Sequence, residues 1–241
     1  MLMMLNKRWF LVPLCLLAFC SNDEVIQDNM PLSKLYALGV KQFNATNYEK
    51  AVEFFSALEQ QYPYSDLTVD AQLLIGLSHY MNAHYTEGRD SFDAFITMHP
   101  HHPEVPYALY MKGLCVYSRV SFIERDQSMA QEAFLIFKEL LQRFPNSPYT
   151  QDANLKIQQM LDHISAAELN TARYNEKNHL YHAALARLER VSPLSIHYPE
   201  SLFRRIECYK GIGQDTEAEI AKQKLLKEFP ENNFAKKIPL P

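Results

Sequence analysis

Apolar residues fall at helical spacing in paired stretches along most of this chain. In the first pair, Leu35, Leu38, Gly39 and Phe43 share one face. The polar turn Asn44-Ala45-Thr46-Asn47 follows, and Tyr48, Ala51, Phe55 and Leu58 form a second stripe. That stripe ends at Tyr62-Pro63, where proline stops a helix because it lacks the N–H and its ring collides with the preceding turn. The arrangement then recurs. Gly39, Gly76 and Gly113 are 37 residues apart each time, as are the aromatics Phe43, Tyr80 and Tyr117. An aromatic residue or His followed by Pro marks unit ends at Tyr62-Pro63, His99-Pro100, Phe144-Pro145, Tyr198-Pro199 and Phe229-Pro230. Tyr149 to Asn178 reads as one long helix with Ala172 in the glycine's place. The prediction is an all-α fold, a right-handed α-solenoid of about five helix pairs over residues 32–238.

A small residue in each helix of a pair lets the two backbones approach. The first-helix set is Gly39, Gly76 and Gly113; the second-helix set is Ala51, Gly88, Ala133, Ala184 and Ala218. One turn after the latter comes a large apolar plug: Phe55, Phe92, Phe137 and Leu188. The fifth unit has Lys222 there, which suits a solvated end cap. Cys115 and Cys208 both sit two residues beyond the small position of a first helix, in units three and five. Stacked helices lie about 8–10 Å apart, so these sites stand more than about 15 Å apart. A disulfide needs Cα atoms within about 7 Å, and both are expected to be buried free thiols. The third unit carries extra length around residues 118–128, an insertion between its two helices. This layout of Leu-Gly, aromatic, Ala, Phe and Pro positions resembles the tetratricopeptide repeat.

The first nineteen residues follow a different rule. Lys7 and Arg8 precede the uncharged run Trp9 to Phe19, too short to span a bilayer and suited to the core of a secretory signal. Leu17-Ala18-Phe19-Cys20 looks like a bacterial lipobox, with Phe19 where the usual pattern has Gly, Ala or Ser. Cys20 is then the lipidated residue, residues 20–31 form a flexible tether, and its eleven residues after Cys20 reach about 36 Å. Loss of the signal moves the net charge from −4 to −6. Acidic balance excludes a phosphate-tracking nucleic-acid surface.

Further words of the chain resemble one family, the BamD (ComL) lipoproteins of the outer-membrane β-barrel assembly (Bam) machinery. They are Asn47-Tyr48-Glu49-Lys50-Ala51-Val52, Tyr62-Pro63-Tyr64, Asp93-Ala94-Phe95-Ile96, His102-Pro103, Tyr110-Met111-Lys112-Gly113-Leu114 and Phe144-Pro145-Asn146-Ser147-Pro148-Tyr149 before Asp152-Ala153. The resemblance implies a scaffold lipid-anchored at the periplasmic face of the outer membrane. Its implied partners are the periplasmic domains of the barrel-forming subunit, held through C-terminal repeats, other Bam lipoproteins, and unfolded outer-membrane proteins received by N-terminal repeats.

First helices line the concave face of such a solenoid. Tyr36, Tyr80, Tyr110 and Tyr117, projecting away from the second helices, are the candidate partner contacts, since a tyrosine offers ring area and a hydrogen bond. The same rings would equally serve as packing between repeats. His99, His101 and His102 read as a proline-rich loop, with Glu104 the only carboxylate near them, so no metal or cofactor is expected. No nucleophile elbow, zinc-protease motif or phosphate loop occurs, and the chain is expected not to be an enzyme. The alternatives are another periplasmic repeat adaptor, in division or peptidoglycan coordination, and an enzyme with a helical accessory domain. The first lacks its usual coiled coil here, and no leftover stretch is long enough for the second.

Overall fold

The computed structural model describes residues 25–123 and 126–238; the signal and Cys20 lie outside the described residues. Within them the fold is all-α. The helices are α1 (Leu32–Asn44), α2 (Tyr48–Gln61), α3 (Asp66–Met81), α4 (Tyr85–Met98), α5 (Val105–Tyr117), α6 (Ser128–Arg143), α7 (Thr150–Lys177), α8 (Tyr181–Leu188), α9 (Tyr198–Gly211) and α10 (Asp215–Glu228). A 3-10 turn, Ala235–Lys237, follows. Each helix packs on the next in chain order. First helices of neighbouring pairs also touch, α1 with α3, α3 with α5 and α7 with α9. No second helix makes a comparable contact with the next second helix, so the first helices occupy the inner side of the stack.

The pairs are held by a glycine that receives an aromatic ring. A Cβ built on Gly39 would lie 2.5 Å from Phe55, one on Gly76 2.9 Å from Phe92, and one on Gly113 2.6 Å from Phe137. All three rings have no exposed surface, and burying each contributes about 2–3 kcal/mol. Gly88 does a different job: its Cβ would meet Cys115 Sγ at 3.0 Å and Gly76 O at 3.4 Å, so it admits both the neighbouring backbone and the next pair. Ala51, Ala133, Ala172 and Ala184 have no exposed surface, and Ala218 is buried. In the fifth pair both partners change. The residue two before Cys208 is not small: it is Ile206, buried, and Lys222 holds the plug position. A larger residue on the first helix offsets the missing ring on the second.

Four of the turns inside pairs share one geometry. Thr46, Ala83, His179 and Gly213 take positive φ of 61°, 59°, 59° and 73°. The next residue's N–H then reaches back to the helix: Asn47 to Gln42 O, His84 to His79 O, Leu180 to Asn175 O and Gln214 to Tyr209 O, each at 2.9 Å. This is the Schellman closure, which satisfies a carbonyl left open by the helix end. The third pair has the insertion at residues 118–127 instead.

Tyr62, His99, Phe144 and Phe229 leave helical conformation immediately before a proline, at φ between −127° and −134°. Proline disfavours the α region in the residue preceding it. Tyr198-Pro199 departs from the expectation. It opens α9 rather than ending α8, because proline is tolerated in a first turn where its N–H would be unpaired anyway. α8 therefore stops early, at Leu188.

The predicted long helix is α7, of 28 residues. Its first half supplies Ala153 and Met160 to a core shared with α5 and α6; its second half supplies Leu169 and Ala172 to the core of α8–α10. One continuous rod thus joins the first three pairs to the last two. No described helix is long and apolar enough to cross a membrane.

The expected tether is shorter than its sequence suggests. Met30 is buried and Ile26 packs with it on the first core. Tyr62 Oη donates to Met30 O at 2.9 Å, and Gln61 Nε2 to Gln27 O at 3.2 Å. Residues 26–30 are therefore held along the end of α2, because a methionine side chain completes the uncovered side of the first pair.

Candidate docking surface

The four candidate tyrosines all belong to inner helices, and each is half-buried with a neighbour in the fold. Tyr36 packs its ring 6.0 Å from Phe55 of α2, and Tyr80 lies 5.6 Å from Tyr85 of α4. Neither turns wholly away from its second helix: Tyr36 meets Phe55, the ring in the Gly39 notch, and Tyr80 meets Tyr85 in the first turn of α4. Tyr110 stacks on Tyr149 at 5.0 Å and 17°, and its Oη donates to Asp152 at 2.7 Å. Tyr117 Oη donates to Gln159 at 3.0 Å, with Lys156 Nζ 4.4 Å from its ring centroid. Tyr110 and Tyr117 thus tie α5 to α7. Tyr36 and Tyr80 have no hydroxyl hydrogen bond among the described residues and keep that group available.

Burial sets the acidity of this surface. It raises the Tyr110 phenol well above the usual value, and the hydrogen bond to Asp152 adds to it. Tyr107 is pushed up to about 12, mainly by burial. Burial also raises the Tyr36 phenol, with a smaller contribution from Asp70. These rings are neutral donors at any physiological pH. Tyr107 and Tyr149, not singled out in the repeat pattern, line a pocket of about 430 Å³ with Pro103, Phe144, Pro145 and Pro148. Arg143 and Glu104 also border it.

Toward the other end, α7 and α9 share an ion-pair network. Arg173 and Arg204 both donate to Glu200, at 2.6 and 2.8 Å, and Arg204 reaches Glu176 at 2.5 Å. Glu200 is only 9% exposed. Burial alone would raise its pKa, but the hydrogen bonds and charges of the two arginines outweigh that and hold it below the usual carboxylate value. No local pattern announces this network, because its members come together only when α7 and α9 stack. Glu219 and Lys222 pair across an exposed face, as a solvated helix surface would.

Cys115 and Cys208 are buried free thiols, each pushed up to about 12 by burial. No group of His, Cys, Asp or Glu among the described residues is arranged to hold a metal ion.

By class, this is a tetratricopeptide-type helical-repeat protein whose inner face offers aromatic rings at one end and paired charges at the other. Residues 28–225 match the YfiO family, described as outer membrane lipoprotein. The chain is 33% identical over 197 residues to the outer membrane protein assembly factor BamD of Caulobacter vibrioides, covering 80% of this chain and 65% of that protein, just under two thirds. It is 31% identical over 227 residues to BamD of Neisseria meningitidis serogroup B, covering 89% of this chain and 85% of that one. The chain belongs to this family of outer-membrane lipoproteins. Among solved structures, the TPR2AB domain–pHSP90 complex of yeast Sti1 aligns with 85% of this chain and 80% of its own, at 10% identity and a TM-score of 0.47.

Proposed function

We propose that the chain is a lipid-anchored scaffold at the periplasmic face of the outer membrane. It serves β-barrel protein assembly and works by binding polypeptides, without a catalytic step. The observation that carries this reading is the match of residues 28–225 to a family of outer-membrane lipoproteins, with relatives named as outer membrane protein assembly factors. Division and peptidoglycan roles find no support among these relatives.

The anchor is Cys20. The C-terminal pairs hold the periplasmic domains of the barrel-forming subunit, alongside other lipoproteins of the Bam machinery. The N-terminal pairs receive unfolded outer-membrane proteins, with Tyr36 and Tyr80 as leading contacts and Tyr110 and Tyr117 contributing ring edges. Stacked helices favour this mechanism because rings and charges are ordered before a partner arrives, which lowers the entropic cost of capture.

Truncation before Leu180 tests the partner assignment. It removes α8–α10 and should abolish co-purification of the barrel-forming subunit while far-UV circular dichroism shows the first pairs still helical. Undiminished co-purification would contradict the assignment. Incorporation of a fatty-acid probe tests the anchor: it should be lost in Cys20→Ala, and equal labelling would exclude Cys20.

A further inference from the structure

The strap held along the end of α2 leaves exposed apolar side chains on both segments. Gln27 O and Met30 O accept hydrogen bonds from Gln61 and Tyr62, so the chain entering the fold lies beside the turn that leaves α2. Val25, two residues before the first bond, is 73% exposed, and Tyr64, two residues after the second, is 100% exposed. Pro31, next to Met30, and Pro63, next to Tyr62, are exposed as well. Tyr64 Oη makes no hydrogen bond among the described residues. A fully exposed tyrosine with an exposed valine and two prolines gains nothing for the fold.

We propose that this corner is a lipid-contact surface that meets the headgroup layer of the membrane holding Cys20. This rests on the reading of Cys20 as the lipid-bearing residue. Five Cα steps separate Cys20 from Val25, so Val25 stays within about 18 Å of the acylated residue, and the bonds from Gln61 and Tyr62 tie the end of α2 to that short lead. Were the chain free as far as Pro31, that bound would be about twice as large, and the solenoid could stand clear of the surface. Tyrosine suits the boundary because its ring sits among headgroups while its hydroxyl stays in water. Exposed Asp28 and Asp66 flank the corner and limit entry to the headgroup depth. The contact adds a second attachment point to the lipid and fixes which end of the solenoid faces the membrane. Of the other exposed large apolar side chains, Met81 and Met98 end the helices of the second pair, and the rest, such as Phe122, Leu135, Leu194 and Ile196, belong to the third pair and beyond.

The sequence supplies a clean reporter. Its single tryptophan is Trp9, inside the signal, so the mature chain with Tyr64→Trp carries one indole. The mature lipoprotein is reconstituted through its acyl chains into phosphatidylethanolamine–phosphatidylglycerol vesicles, with and without lipids brominated high on the acyl chain. Emission from Tyr64→Trp should shift to the blue and lose intensity with brominated lipid. Val25→Ser added to it should weaken that loss. Tyr174→Trp, at an exposed position on α7, should show neither effect. Protein that floats with the vesicles while Tyr64→Trp behaves like Tyr174→Trp would overturn the contact and leave the anchor standing. Protein that does not float would overturn the anchor, and the contact with it.

Discussion

Gly113→Ala reverses the usual rule for glycine inside a helix. Alanine in place of glycine gains about 1 kcal/mol of helix propensity when nothing else changes. Here the new Cβ would lie 2.6 Å from Phe137 Cε1, 2.9 Å from Cζ and 3.0 Å from Cδ1. Ordinary carbon contacts begin near about 3.5 Å, so the ring must retreat by about 1 Å. It has nowhere to go: Phe137 has no exposed surface, and the Tyr110 ring lies 6.2 Å away. Overpacking of this kind costs about 1–3 kcal/mol, and a ring with no route to solvent belongs in the upper part of that range. Subtracting the propensity gain leaves a net loss of about 1–2 kcal/mol. Urea denaturation followed by circular dichroism reads it as a lower midpoint at unchanged slope. In a Phe137→Leu background the clash is gone, and the same Gly113→Ala change should be neutral or stabilising. Gly113→Ala raising the midpoint of the wild-type chain would refute the ring-in-notch account of how the pairs are held.

Other positions give independent tests. Ala83 sits at φ 59°, so Ala83→Gly should stabilise by up to about 1 kcal/mol by removing left-handed strain; a loss of stability would count against the shared turn geometry. Glu200 has a depressed pKa, so its contribution is full above the unfolded value of about 4.3 and lost as pH falls through the lower folded value. Glu200→Gln should therefore cost about 1–3 kcal/mol at neutral pH, with the gap to wild type closing in acid; a gap independent of pH would remove the charge from the explanation. Cys115 and Cys208, raised to about 12, are thiolate to only about one part in ten thousand at pH 8 and are buried as well. A thiol reagent should label neither until denaturant is added, and then both without reductant; rapid labelling of the native chain would contradict their burial.

Much of the fold was readable because each pair repeats the same few physical demands. A glycine, a ring and a proline at fixed intervals announce a notch, a plug and a stop, and the long helix α7 shows as an uninterrupted stripe. Tyr198-Pro199 misled because proline both ends helices and starts them, and only the early end of α8 decides between the two. The strap at Met30 was not readable, since its burial depends on a contact with Tyr62 that no local pattern encodes. The left-handed geometry of the turns escaped notice for a related reason: Thr46, Ala83 and His179 are not the glycine that a left-handed cap favours. The candidate surface was legible as a face but not as contacts. Helical spacing puts Tyr36, Tyr80, Tyr110 and Tyr117 on inner helices, while stacking determines that Tyr110 gives its hydroxyl to Asp152. The Arg173–Glu200–Arg204 network depends on the same stacking, so charges that look solvated along one helix become partners across two, with Glu200 buried between the arginines.

The central claim is that the inner face captures unfolded outer-membrane proteins. A photo-crosslinking amino acid placed in living cells at Tyr36 or Tyr80, and for comparison at exposed Leu135 on the second helix α6, tests it most directly. The account predicts adducts with barrel-protein precursors from the two inner positions and none from Leu135. Adducts of equal yield from all three positions, or from Leu135 alone, would contradict it.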